Sequence, residues 1–173
     1  MQYVILGLLL QGPLSLYDLH KHFTASVSLF YSASYGSLKR ALSVLVDAGH
    51  VQAADAPVGA RRRTLHTITP SGREAWRTWM HEPVTASLVD TVVLAKVFFL
   101  DGLEESERGA VVATLLERVD RDLERLRAVE STLSTEPVPE DLRDTYRYRG
   151  ATLDFGIRSY ELMQRWLVEV RDT

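Results

Sequence analysis

The sequence predicts a mainly α-helical chain: an N-terminal helix-turn-helix unit that carries a two-stranded hairpin, then an all-α second half with long helices. Three observations predict it. Residues 34–49 read as one helix, capped by Ser34, stopped by Gly49, with Leu38, Leu42 and Leu45 recurring along one face. An extended run from His50 to Ala56, a turn over 57–60 and a second run Thr64–Thr69 follow, with Arg61, Arg62 and Arg63 opening the return strand. Beyond Thr85 there is no strand signal, and apolar residues repeat every seven positions through two long stretches. A helix followed by a basic hairpin is the order of a winged helix-turn-helix, which sets a helix in a DNA major groove and a wing on the backbone.

Taken in order, residues 3–11 predict a buried first helix ended by Gly12-Pro13. Ser15 is placed to cap a second helix through Phe23, with Asp18 suiting the helix dipole and Leu16, Leu19 and Phe23 facing inward. A turn region from Thr24 to Ala33 leads to the helix at 34–49. Thr69 or Ser71 caps the next helix, where Trp76, Trp79 and Met80 fall at helical spacing and are expected to pack. Pro83 ends it, and the domain boundary is expected near Thr85. That gives a winged helix-turn-helix domain over 1–84 and a helical dimerisation and effector domain over 85–173.

In the second half, Asp90 to Leu100 predicts an apolar helix stopped by Asp101-Gly102, and Glu104 to Leu133 a long one. Val112, Val119, Leu126 and Leu133 are seven apart, with Leu115 or Leu116 and Leu123 between them. After Pro137 and Pro139, a last helix runs from Glu140 to Val170. Tyr146, Leu153, Tyr160 and Leu167 repeat every seven residues, each followed three later by Arg149, Gly156, Met163 and Val170. This heptad seam is imperfect at Arg149 and thin at Gly156. Two long amphipathic helices need cover, from each other or from a second copy, and few other elements exist to supply it. The expected dimer contacts are Tyr146, Leu153, Tyr160, Met163 and Leu167.

Composition narrows the function classes. The chain has no cysteine, which excludes disulfides and thiolate metal sites. A net charge of −3 argues by itself against a nucleic-acid partner, but it hides an asymmetry. Residues 1–84 carry +3 and all five histidines, and residues 85–173 carry −6, which suits a DNA-reading domain joined to a different module. The apolar start lacks a basic flank and a small-residue cleavage site, and it is too short to span a bilayer, so a cytoplasmic protein is expected. No Gly-x-Ser-x-Gly, Walker or His-Glu-x-x-His pattern occurs, so no enzyme is expected and no cofactor. His20 and His22 diverge on a helix, and adding His50 or His66 does not make a convincing zinc site, so no metal is expected.

At the level of motifs the chain resembles PadR-type transcriptional regulators. The resemblance rests on Ile5-Leu6-Gly7-Leu8-Leu9 with Gly12-Pro13-Leu14-Ser15, then Tyr17-Asp18-Leu19, then Gly36-Ser37-Leu38 with Ala41-Leu42 and Leu45 to Gly49. Arg61-Arg62-Arg63 at the wing and Ile68-Thr69-Pro70-Ser71-Gly72-Arg73 with Trp79 extend it over residues 4–80. The acidic helical tail looks like the longer members with an extended C-terminal dimerisation domain. The chain departs from the family at Lys39-Arg40, where Tyr-Pro is common, at Leu16, where glycine is common, and at His66, often an aromatic. The resemblance implies a homodimeric, ligand-responsive repressor that binds an inverted-repeat operator in double-stranded DNA and releases it when an effector arrives.

The candidate DNA contacts follow from side-chain chemistry. Lys39 and Arg40 fall off the apolar stripe near the helix start, where arginine and lysine can read guanine edges. Tyr35 and Ser37 beside them, and Ser15 and Tyr17 at the second helix start, carry hydroxyls that grip phosphate. Arg61, Arg62 and Arg63 are expected on phosphate or in the minor groove, though strand alternation turns them to different sides. An effector site is sketched by Tyr148, Arg149 and Trp166, with Tyr146, Arg147, Phe155 and Tyr160 near them in sequence, since aromatics with arginine suit a planar or anionic ligand. A coiled-coil seam decorated by aromatics explains the same residues. The alternative for the whole chain is a winged-helix protein-interaction module without sequence-specific DNA binding, its basic hairpin merely solvated.

Overall fold

The computed structural model describes residues 1–58, 61–85, 88–135 and 138–173, without the side chains of 57, 58, 61, 62, 134 and 135. Two compact units emerge, Met1–Glu107 and Arg108–Thr173.

In the first unit, α1 (Gln2–Leu9) is apolar on all sides and forms the centre, with Val4, Ile5, Leu6 and Leu9 buried. A two-residue strand β1 (Leu14–Ser15) leads into α2 (Leu16–Ala25), which buries Leu19 and Phe23; Leu16, expected inward, is only half-buried. The connection at 24–33 includes a 3-10 turn, Val27–Leu29, that buries Val27. Next comes α3 (Tyr35–Asp47), with Leu38, Leu42 and Leu45 in the core, each worth about 2 kcal/mol by burial. Gly49 ends it at φ +73°, a left-handed conformation glycine adopts without strain. The chain then enters β2 (Val51–Val58) and β3 (Arg61–Ile68), and α4 (Pro70–His81) follows.

Capping fixes where these helices begin. The hydroxyls of Ser15, Ser34 and Thr69 accept the N–H three residues on, from Asp18, Ser37 and Gly72, at 3.2, 3.2 and 3.1 Å. Each such cap contributes about 1 kcal/mol. Ser71, the other candidate for the third cap, instead donates to the Gly49 carbonyl at 3.1 Å.

The expected two-stranded hairpin is part of a three-stranded antiparallel sheet in the order β1-β3-β2, with Leu14 opposite His66 and Ala53 opposite the same residue. Its strands also run further than expected, to Val58 and from Arg61, so only Gly59 and Ala60 of the expected turn remain, and these lie outside the described residues. Pro57 sits within β2 opposite Arg62. An edge strand tolerates proline because one row of its backbone groups needs no ladder partner.

The first unit extends past Thr85. α5 (Val89–Phe98) and a 3-10 turn, Leu100–Gly102, replace the single helix expected to Leu100. Phe99 lies against Gly7 of α1 so closely that a Cβ there would sit 2.7 Å from its ring. Trp76 and Met80 of α4 are buried, and Trp79 stacks on Tyr3 at 5.1 Å and 7°.

The second unit is built from α6 (Glu105–Thr135), which begins at the end of the first unit, and α7 (Arg143–Arg171), preceded by a 3-10 turn at Glu140–Leu142. They run antiparallel. Gln164 donates to Asp120 at 2.6 Å, Tyr160 reaches Asp122 at 3.5 Å and Arg127 pairs with Glu161 at 2.8 Å. Among the described residues no helix is long and apolar enough to cross a membrane, and no cluster of His, Cys, Asp and Glu could hold a metal ion.

Candidate nucleic-acid interface

The helix α3 buries one side and leaves the other to solvent. Gly36, Arg40, Ser43 and Asp47 are spaced four, three and four apart, so they share one exposed line along the helix. Lys39 lies on the flank of that line toward the wing, and Val44 on the opposite flank is also exposed. Lys39 and Arg40 therefore face different surroundings, although they are neighbours in sequence. Ser43 and Asp47 were not picked out from the sequence. Projecting Arg40 forward by three and seven residues would have found them.

Between α3, the start of α2 and β3 is an open groove of about 840 Å³. Lys39 and Ser43 line it from α3, Arg63 and His66 from β3, and Ser15 and Tyr17 from the start of α2. Four of the expected contacts, Ser15, Tyr17, Lys39 and Arg63, thus converge on one concavity with cations on two of its walls. Arg63 is drawn toward Asp18, Nη1 to Oδ2 3.8 Å, across a partly exposed gap, where an ion pair adds little stability and leaves the guanidinium available to a better anion. Burial holds the His66 imidazole below its ordinary value, against the opposing hydrogen bond its Nδ1 donates to the Leu14 carbonyl at 3.3 Å. The positive charge of the groove is therefore carried by Lys39 and Arg63, with Asp47 the carboxylate in its lining.

The structure sorts the other expected contacts. Tyr17 is exposed at the first turn of α2, and Tyr35 at the first turn of α3, edge-on to His20 at 5.3 Å. The Ser37 hydroxyl donates to the Ser34 carbonyl at 2.8 Å, within the capping turn. Ser15 is buried, and its hydroxyl both caps α2 and donates to Asp18 Oδ2 at 2.6 Å. That hydroxyl is already used inside the protein and is not free for the phosphate expected of it. Arg61 and Arg62 have backbone positions in β3 opposite Val58 and Pro57, and their side chains lie outside the described residues.

The second unit departs from the sequence picture in two ways. The seam expected to meet a second copy largely faces inward. Leu167 is fully buried, Tyr160 reaches Asp122 of α6, and Gly156 lies beside Leu126. Tyr146, Leu153 and Met163 are half-buried. The residues left bare are Tyr148, Phe155 and Leu162, also seven apart, at 67%, 72% and 62% exposure. Nor do the effector residues meet. Tyr148 and Arg149 are exposed, and Trp166 is eighteen residues beyond Tyr148 on the same helix, about 27 Å along its axis. Within one chain they cannot line one pocket.

The Transcriptional regulator PadR-like family matches residues 5–78, and the family Virulence activator alpha C-term matches residues 92–173. The Negative transcriptional regulator PadR of Bacillus subtilis is 28% identical over 143 residues, 80% of this chain and 78% of that protein. The Probable transcriptional regulator Rv1176c of Mycobacterium tuberculosis is 26% identical over 182 residues, covering 98% of this chain and 95% of that one. Among solved structures, Bacillus subtilis PadR in complex with operator DNA is 25% identical, with a TM-score of 0.45, over 99% of this chain and 96% of that one. The two family matches divide the chain between them: its front half carries a PadR-like regulator domain, its back half matches Virulence activator alpha C-term, and the chain is a DNA-binding transcriptional regulator.

Proposed function

We propose that this regulator is a homodimeric repressor that binds an inverted-repeat operator, with α3 in the major groove and the β2–β3 wing on the neighbouring backbone. The observation that carries the reading is the groove between α3 and β3, with Lys39 on one wall and Arg63 on another. On this reading Arg40 reads base edges from the exposed line of α3, with Ser43 and Asp47 beside it. Lys39, Tyr17, Tyr35, Ser37 and Arg63 hold phosphates, and Arg61 and Arg62 join them from the wing. Two copies present two such helices to half-sites about one helical turn apart. The bare line Tyr148, Phe155 and Leu162 on α7 supports the dimer. Three large apolar side chains at heptad spacing match the pattern a second helix covers. The flanking half-buried residues Tyr146, Leu153 and Met163 complete the contact from its edge.

Similarity to known regulators supports repression, release by an effector, a cytoplasmic site of action and a non-catalytic role. The test is a competition gel shift with the DNA upstream of the protein's own coding sequence against scrambled DNA of equal length. Preferential retention of the upstream DNA is expected. Equal binding of both, or none at low salt, would sink the reading and favour a protein-binding winged helix.

A further inference from the structure

The solvent side of α3 carries one residue that its polar line does not account for. Val44 is 49% exposed, one turn beyond Arg40 and turned about 40° from it around the helix axis. Ala41, Val44 and Ala48 are spaced three and four apart, so they form an uncharged strip beside the line of Gly36, Arg40, Ser43 and Asp47. A single exposed valine is ordinary on a protein surface, but in a helix it has a cost. A β-branched side chain loses freedom against the preceding turn, so valine is a weaker helix former than alanine, lysine or glutamate. At a position open to solvent, packing offsets little of that. Its one preferred rotamer does hold two methyl groups in fixed directions. A local preference set aside at an exposed position points to function.

Arg40 supplies a cation on the same side of the helix. Its guanidinium lies back toward the helix start, with Nη1 3.7 Å from where a Cβ would stand on Gly36. Because Gly36 has no side chain, a partner can approach the first turn closely. A cation over that turn and an apolar group further along α3 therefore face one surface. In a major groove these are the groups that read guanine, through its O6 and N7 acceptors, and thymine, through its 5-methyl. Phosphates are alike at every step and give an apolar side chain nothing to hold.

We infer that Val44 reads a thymine methyl in each operator half-site, next to the guanine read by Arg40. One helical turn rises about 5.4 Å and base pairs stack about 3.4 Å apart, so the two bases lie within about two base pairs of each other. The inference rests on the operator reading proposed above and names the base that α3 selects beside guanine.

The probe is the upstream duplex used in the gel shift, synthesised with thymine or with uracil throughout. Uracil lacks only the 5-methyl and keeps every hydrogen-bonding group. Fluorescence anisotropy gives the affinity of the full-length wild type, Val44→Ser and Val44→Ile for both duplexes. The wild type is expected to bind the thymine duplex about fifteenfold more tightly, from about fourfold for one buried methyl in each of two half-sites. Val44→Ile keeps a branched apolar side chain and is expected to keep that preference. Val44→Ser loses both methyls and is expected to bind the two duplexes about equally. Equal affinity of the wild type for both duplexes would overturn the inference. So would a full preference in Val44→Ser, which would assign the effect to the DNA rather than to the valine. Both results leave the operator reading standing, provided the wild type still prefers the thymine duplex to scrambled DNA. Loss of that last preference would overturn both.

Discussion

Lys96 offers the sharpest quantitative test of the packing. It stands in the apolar helix α5, 1% exposed, with its ammonium donating to the carbonyls of Met80 at 3.3 Å and of Glu82, and lying 5.3 Å from the Trp79 ring centroid. It therefore caps the C-terminal end of α4, where unpaired carbonyls and the helix dipole favour a cation. Burial nonetheless lowers its pKa from 10.5 to about 8, with the Glu82 carboxylate opposing the shift. A lysine whose folded pKa is depressed carries a proton more weakly in the native state than in the unfolded chain. Below pH 8 both states are charged and the full penalty is present. Between 8 and 10.5 the native state loses its proton first, so stability rises, and above 10.5 the penalty is gone. The interval corresponds to about 3 kcal/mol.

Lys96→Met keeps the aliphatic stem and removes the titration. At neutral pH, relief of the buried charge opposes the loss of two hydrogen bonds to carbonyls, each costing about 1–3 kcal/mol when left unpaired. The diagnostic is thus the pH slope. Urea unfolding of both proteins, followed by tryptophan fluorescence across that window, is expected to show the wild type gaining stability relative to Lys96→Met as pH rises. Other titrating groups, such as Tyr31, whose burial raises its pKa, are common to both and cancel. Parallel curves would refute the reading of Lys96 as a buried, charged cap.

Gly72→Ala places a Cβ 2.2 Å from the His50 carbonyl oxygen, a backbone atom that cannot swing away. It should cost about 3 kcal/mol or more in denaturant unfolding, and a neutral result would mean that α4 meets β2 differently. The double variant Phe155→Glu with Leu162→Glu should turn a dimer into a monomer by light scattering while its helical circular dichroism is retained; a persistent dimer would move the interface off this line. Arg63→Ala should weaken binding to all DNA sequences alike and flatten the log–log salt dependence by about one phosphate contact, and an unchanged slope would take Arg63 out of the DNA contact.

Much of the first unit is legible in the sequence because its signals are local. Ser15, Ser34 and Thr69 as caps and Gly49 as a stop act within one turn of the backbone, and each fixes a boundary the structure shares. β1 is two residues long, too short for any periodicity, and exists because Leu14 finds His66 across the sheet. The role of α7 was less legible for a different reason. The helix carries two seven-residue repeats, Tyr146-Leu153-Tyr160-Leu167 and Tyr148-Phe155-Leu162, about 200° apart around it. Spacing alone cannot say which repeat meets α6 and which is left bare. Burial decides: Leu167 is covered and Phe155 is not. Lys96 leaves little trace in the sequence because a single lysine in Val-Val-Leu-Ala-Lys-Val-Phe-Phe hardly alters an apolar pattern, and its partners Met80 and Glu82 lie in the preceding helix and its cap. Trp76 read correctly as packing, but no sequence pattern shows that its N–H lacks an acceptor.

The central claim is that α3 reads sequence with Arg40 on its exposed line, while Lys39 on the wing-side flank and Arg63 across the groove grip the backbone. The direct measurement is a competition titration of operator against scrambled DNA for the wild type, Arg40→Ala, Lys39→Ala and Arg63→Ala. A bidentate base contact is worth about 1–3 kcal/mol of discrimination. Arg40→Ala is therefore expected to lower the ratio of specific to non-specific affinity by about tenfold. Lys39→Ala and Arg63→Ala are expected to lower both affinities together and leave the ratio in place. A wild-type ratio in Arg40→Ala would contradict base reading by this helix.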